Sequence, residues 1–488
     1  MTAVGTPRSH TVGRFALVLH SHLPWLRGHG NWPVGEEWLH QAIATSYVPV
    51  LGALHRLAAK GHKDMVSIGI TPVLAAQLDD ATVLRDAGTW AADWLWRTRE
   101  LAATDPDAAA REARQARDVL DALQTRHRAG FSPAFRALAD AGAIELLAGP
   151  ATHPFQPLLD ERIAAFSLRT GMDDHTIRFG QAAAGIWAPE CGYRPGLENV
   201  YSAAGAGHFL MDGPTMLHVG RGTHSAWTVG DSDVVAFGRD LDVTYRVWSP
   251  RKGYPGHHEY RDFHVIDDMG FRTRRVTSST VHGPDKAPYS EQLARQAVHR
   301  DARDFVDTVR ERLLDLQEQT DDPLVVAAYD TELFGHWWHE GPAWLEEVLT
   351  LMPHAGIEVT TLRRARERAA GRIDPEAGSW GSGKDFRVWA GPQVSQLVDD
   401  NEDLVRRWLK LAEPTRDRLQ SDMATQALLA LSSDWAFMVT KDSAAQYALD
   451  RHAGHHAAFN RAADAIETGS AIEPSGERPF GHLDPRLL

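Results

Sequence analysis

Three short segments carry residue types that could do chemistry together. An apolar run over residues 183–188 stops at Pro189-Glu190-Cys191-Gly192, so it reads as a buried strand with a carboxylate at its carboxyl end. A second apolar run, 322–331, ends at Asp330 and continues through Glu332 into His336-Trp337-Trp338-His339-Glu340. The opening run from Phe15 ends in His20-Ser21-His22, whose two imidazoles share one face of a strand, and His153 falls just past the end of another run, 143–149. Two carboxylates at separate strand ends are what retaining glycosyl transfer requires: one attacks the anomeric carbon, and the other protonates the leaving oxygen and later deprotonates the acceptor. In that chemistry His20 and His153 would hydrogen-bond sugar hydroxyls or tune the pair, and no metal or other cofactor is needed. The plainer alternative pairs Glu190 with Arg194 or uses it to cap the next helix.

Such groups need a rigid frame. Strand patterns at 65–71, 208–212 and 233–240 join those above, and strands alternating with helices indicate a mainly parallel α/β barrel or sheet. Between about 82 and 141 the pattern is helical, at 90–101 and 108–126, which reads as an insertion between two barrel strands. A loop-rich passage holds Trp248 and Gly256. Past residue 371 the strand signals fade, and helices are predicted at 401–419, 423–431 and 444–465, with a loop or frayed tail from 469. The expected division is a catalytic barrel over 1–81 and 142–372, a helical insertion over 82–141 and a C-terminal helical domain over 373–488.

Composition narrows the function classes. A chain of 488 residues, 43% hydrophobic and 24% charged, can bury a large core and satellite domains. A formal net charge of −14 argues against nucleic acid or an anionic membrane as partner. Sixteen tryptophans supply flat faces suited to sugar rings, although most are expected in the core. One cysteine, Cys191, leaves no internal disulfide, and the first residues carry no apolar signal-like run, so a cytoplasmic location is expected. Two other classes stay open. His20, His22, Asp330 and His336 could hold zinc in a metal-dependent hydrolase or deacetylase, and tryptophans alone would serve a non-catalytic glucan-binding protein.

In order along the chain, these segments resemble the motifs of glycoside hydrolase family 57, and of its 1,4-α-glucan branching enzymes in particular. The matching stretches are His20-Ser21-His22-Leu23-Pro24, Gly149 to Phe155 around His153, Trp187-Ala188-Pro189-Glu190, and Tyr329-Asp330 through Trp338. The resemblance implies a (β/α)7 barrel with a helical insertion and a C-terminal all-helical domain. It also implies Glu190 as nucleophile, Asp330 as acid/base, and an α-glucan substrate carried to a 6-hydroxyl to form α-1,6 branches. Arg239, Trp248, Gly256, Trp380 and Asp434 resemble substrate-binding positions; His20, His153, Trp32 and Trp389 join them as candidates from their residue types and placement, and a monomer or weak oligomer is expected. A 4-α-glucanotransferase or α-amylase is the alternative within the family. Two departures stand out: Ser443 occupies a place where the family has a Gln, and the stretch 211–234 is short and lacks the Tyr of the family's longer mobile loop.

Overall fold

In the computed structural model, which describes residues 11–31, 34–249, 253–278 and 280–488, the strand signals close into a barrel. Strand β1 (Gly13–Ser21) pairs in parallel with β2 (Val66–Ile70), and β2 with β3 (Ile144–Leu147). From Ala148 a parallel bridge leads to Ile186, and a second leads from Ile186 to Phe209 in β4 (His208–Asp212). A short β5 (Trp227–Val229) runs antiparallel to β6 (Val235–Arg239), which is the parallel partner of β4. The backbone N–H of Asp240 donates to the Val326 carbonyl of β7 (Leu324–Asp330), and β7 pairs along β1, completing seven positions. The run 183–188 thus lies where a strand was expected, but it makes only the two bridges at Ile186 rather than a regular ladder.

Period-two alternation decides what the barrel holds. Ala16 and Val18 of β1, Leu210 of β4, Val235 and Phe237 of β6, and Val326 and Ala328 of β7 pack with Leu147 and Trp187 in one interior cluster. Continuing those rows by two residues reaches His20, Asp212, Arg239 and Asp330. The alternate residues Phe15, Leu17, Leu19, Val325, Ala327 and Tyr329 face outward into the main core shared with the helices.

The helical stretch after β2 forms Ala81–Leu101 and Pro106–Gln124, which pack on each other. Asp80 and Asp105 cap their amino ends through backbone N–H groups, and Pro106 sits where its missing N–H does no harm. A further helix, Ser132–Asp140, packs against β3. The C-terminal helices are Ser395–Leu411, Arg418–Ala430, Ser433–Lys441 and Ala445–Thr468. The single helix expected over 401–419 is therefore wrong. It begins earlier and ends at Leu411, because Pro414 disfavours helical geometry at the residue before it, and Asp417 caps a new helix. The tail is loop as expected but tied down rather than frayed: Phe480 and Leu483 are buried in the helical core, and Glu477 is hydrogen-bonded to His29 and Gln426. Among the described residues no helix is long and apolar enough to cross a membrane.

Candidate active site

Glu190 sits in a single tight turn, Pro189–Cys191, directly after the Ile186 bridge. Glu190 and Cys191 both adopt left-handed backbone angles, φ 60° and 49°, as does His153 at 58°. Each such residue without glycine's freedom costs on the order of 1–3 kcal/mol, so the surroundings must hold it. They do so by hydrogen bonds: the Trp380 backbone N–H donates to the Glu190 carbonyl at 2.9 Å, and that of Ser433 donates to the His153 carbonyl at 3.0 Å.

The Glu190 carboxyl is 9% exposed and receives two donors, Trp380 Nε1 at 2.8 Å and Ser433 Oγ at 3.0 Å. Arg194, its plain alternative partner, instead donates to the carbonyls of Pro157 and Leu159. Behind Ser433 the bonds continue: His153 Nδ1 lies 2.9 Å from Ser433 Oγ, and His153 Nε2 lies 3.0 Å from His20 Nε2. Because Ser433 spends its hydrogen on Glu190, it accepts from His153 Nδ1–H, which leaves His153 Nε2 to accept from His20 Nε2–H. Burial, first, and the neighbouring imidazoles hold both rings neutral, well below the usual histidine range. His20 also lies flat on Trp187, with ring centroids 4.3 Å apart.

Asp330 ends β7 beside His20 in register. Protein packs closely around its carboxyl, yet the residue keeps solvent exposure, as a group at the open end of a barrel does. Crowding pushes it up to about 6, against the opposing charges of Arg239 and His22. Glu190 is pushed up to about 7 by burial; its two hydrogen bonds pull the other way, and the charges of Asp434 and Asp330 add to the rise. The charge of Asp330 is thus one influence on Glu190, with burial the largest. Arg239 is pinned by Asp212 at 2.8 Å, with Lys384 on the other Asp212 oxygen at 2.6 Å, and it lies 5.2 Å from the Trp380 ring centre.

His22 differs from its neighbours. Burial opposes its charge, but the Asp434 carboxylate 2.8 Å away raises it overall. Asp434 was expected to meet substrate, and here it is committed to His22 and Ser432. His22, His153 and Asp434 have ligand-type atoms within 4.8 Å of one another. Both nitrogens of each ring are nevertheless engaged, with Thr71 and Asp434 for His22 and with Ser433 and His20 for His153, so a metal would have to displace existing bonds. The zinc set His20, His22, Asp330 and His336 is not assembled, because His336 turns to Thr45 in a separate cavity.

Other expected residues distribute as follows. Trp248 caps the helix Leu241–Val247 and is 51% exposed. Gly256 is an exposed turn residue with open space where a Cβ would stand. Trp389 is corrected: only 2% exposed and stacked 4.3 Å from Phe155, it offers no face to a sugar. Trp32 lies outside the described residues. Ser443 is exposed at the end of Ser433–Lys441, its N–H bonded to the Met438 carbonyl. Sequence reasoning passed over Ser433, although the Ser-Ser-Asp-Trp segment holding it was noted for Asp434. It also passed over Glu332, whose Oε1 accepts from the His22 N–H at 3.1 Å and from the Tyr47 hydroxyl, and which burial pushes up to about 8.

The family model described as glycosyl hydrolase family 57 matches residues 16–376, and that of the 1,4-alpha-glucan branching enzyme C-terminal domain matches 394–485. A "Probable 1,4-alpha-glucan branching enzyme" of Mycobacterium tuberculosis is 44% identical over 527 residues, covering 99% of this chain and 100% of that one. The crystal structure of the family 57 branching enzyme of Thermococcus kodakaraensis, determined with glucose and additives, superposes with a TM-score of 0.90 at 30% identity, covering 97% of this chain and 94% of that one. The alpha-amylase AmyC of Thermotoga maritima shares the fold, with a TM-score of 0.84 at 24% identity over 97% and 98% of the two chains. The chain belongs to glycosyl hydrolase family 57, in the type whose C-terminal domain is that of 1,4-alpha-glucan branching enzymes.

Proposed function

We propose that this chain is a 1,4-α-glucan branching enzyme that works through a covalent glucosyl-enzyme. One observation carries the reading: the Glu190 carboxyl is oriented by a donor from the linking segment, Trp380, and a donor from the helical domain, Ser433, beside the open carboxyl of Asp330. Oriented N–H and O–H donors favour the anion that must attack, while a carboxyl raised by crowding keeps a proton to give.

Glu190 attacks the anomeric carbon of an α-1,4-linked donor and Asp330 protonates the departing glycosidic oxygen, which leaves a glucosyl ester on Glu190. Asp330, now ionised, takes the proton of an acceptor 6-hydroxyl as that oxygen displaces Glu190, giving the α-1,6 bond with retention. Each proton released is the proton consumed, so the cycle closes. Arg239, held by Asp212, and His22, held by Asp434, both oppose the rise of the acid. We take 1–81 and 142–372 as the catalytic barrel, 82–141 as its helical insertion and 373–488 as the unit that completes the site, a division supported by the helices Ala81–Leu101 and Pro106–Gln124 between β2 and β3 and by the helices from Ser395 onward.

Glu190→Gln and Asp330→Asn are each expected to lower branching of amylose by at least about 10³-fold with the fold intact by circular dichroism, in line with loss of an essential nucleophile or acid. Iodine staining with debranching and chain-length analysis reads the product. Near-normal branching in either variant would remove that residue from its role, and reducing ends without branches would move the assignment to the amylase alternative.

A further inference from the structure

A cavity of about 840 Å³ lies beside the catalytic cluster, and neither Glu190 nor Asp330 lines it. It is a cleft open to solvent between the helices Ala81–Leu101 and Pro106–Gln124 on one side and His336-Trp337 with the loop around Phe263 on the other. Only one layer of protein separates the two spaces. Thr45 lines the cavity, while the next two residues face the catalytic side: Ser46 Oγ donates to the Thr331 carbonyl at 2.9 Å and the Tyr47 hydroxyl donates to Glu332.

The lining has the character of a saccharide site. Trp337 is 47% exposed and is backed by Phe263 with ring centroids 4.5 Å apart, so one indole face is presented on a firm support. Trp90 stands across the space, its N–H held by Glu37 at 2.9 Å. Lining carboxylates outnumber guanidinium groups seven to five among the described residues, and three arginines are already paired, Arg261 with Glu112, Arg97 with Asp93 and Arg56 with Glu346. That balance disfavours an anion. Flat aromatic faces among hydrogen-bonding carboxylates, amides and hydroxyls suit a neutral polyhydroxylated ring, and the volume falls in the upper part of the roughly 300–1,000 Å³ range of ligand cavities, room for an oligosaccharide rather than one sugar.

We propose that this cavity is a second binding site for an α-1,4-linked oligoglucan, built jointly by the helical insertion and the Trp337 segment. It deepens the functional reading above by naming where a remote part of the glucan is held. A chain anchored there raises the local concentration of glucan at the catalytic carboxyls, which gives the insertion a role although it contributes nothing to the Glu190 cluster.

The test is calorimetric titration of maltoheptaose into the Glu190→Gln protein, with inorganic phosphate as a second probe. Two classes of maltoheptaose site are expected. Adding Trp337→Ala should weaken one class by about tenfold, the loss of one stacking face, and leave the other unchanged. The Trp337 N–H bond to the Glu332 carbonyl is backbone and survives the change. Thr125→Trp, which fills the cavity from the insertion side at an exposed position, should abolish the same class. A single class of site, two classes indifferent to both substitutions, or phosphate binding lost with Trp337→Ala would each overturn the proposal. Binding is read without turnover, so the result is independent of whether the parent enzyme branches, hydrolyses or transfers.

Discussion

Ser433 is one hydroxyl, yet it joins the histidine pair to the Glu190 carboxyl. Removing it leaves Glu190 with only the Trp380 donor, so burial, the largest influence on this carboxyl, acts with less opposition and raises it further. Ser433→Ala is expected to lower kcat about 10–100-fold, as loss of a hydrogen bond to a charged group does. It should also move the alkaline limb of the pH–kcat profile upward, because Glu190 is the higher of the two carboxyls, a displacement that simple loosening of the fold would not produce. In the parent, that profile should be bell-shaped with its maximum near pH 6–7, between the two carboxyls: the reactive form has Glu190 ionised and Asp330 protonated, a minority arrangement because Glu190 is the higher of the two, and it is depleted at lower pH as both carboxyls are protonated and at higher pH as both are ionised. The same burial affects stability. A carboxyl raised from 4.5 to about 7 holds its proton in the folded state while the unfolded chain releases it, so stability is unaffected at low pH and falls as pH rises from about 4.5 to 7. Glu190→Gln is therefore expected to be more stable than the parent by about 2–3 kcal/mol at pH 8 and little different at pH 4, measured by denaturant unfolding.

At the scale of elements, the site is the top layer of an alternating barrel. The rows that bury Ala16 and Val18, Val235 and Phe237, and Val326 and Ala328 end in His20, Arg239 and Asp330. The turns that follow are the less regular part, with His153, Glu190 and Cys191 left-handed. The tail is a second element whose state rests on few contacts. Glu477 joins His29 of the loop after β1 and Gln426 of Arg418–Ala430. Burial works against its charge, but these hydrogen bonds prevail and hold it at about 2. A depressed carboxyl contributes stability above its unfolded value near 4.5 and loses it as pH falls toward 2. Glu477→Ala is expected to speed amide hydrogen exchange over residues 470–488 at pH 7, with parent and variant converging as pH approaches 2. The neighbouring His29, His455 and Glu477 have the spacing of a metal set, but His455 is bonded at both nitrogens, to Gln426 and to the guanidinium of Arg451, which leaves a cation no lone pair there.

Across the whole molecule, the C-terminal helices are joined to the barrel at the Glu190 cluster, because Ser433 and Asp434 reach Glu190 and His22 from them. The stretch between β4 and β6 is short and is taken up by the helix Gly213–Leu217 and by β5, paired to β6 and to Arg372–Ile373. Water at the glucosyl-enzyme competes with acceptor unless a lid excludes it or a groove raises the acceptor's effective concentration. The ratio of reducing ends released to branches formed is thus expected to exceed that of a family member with the long loop. Trp248→Ala, at an exposed face, should lower branching more than reducing-end release, by severalfold. Equal loss of both products would place that ring with the donor instead.

The alternation of apolar runs with polar strand ends, read from the chain alone, marks Glu190 and Asp330, the barrel and the two helical regions, because period, length and turn residues are local properties. Ordered motifs reach further and single out the family. What depends on residues far apart in the chain is different. That Ser433 and Trp380 converge on one carboxylate, that Asp434 serves His22, and that Trp389 is spent against Phe155 follow from how the helical domain seats on the barrel mouth. A tryptophan has the same letter as a platform or as packing, and a serine the same as a surface hydroxyl or a relay. Burial and the direction of each donor separate those roles, and both come into being only when the tertiary structure closes.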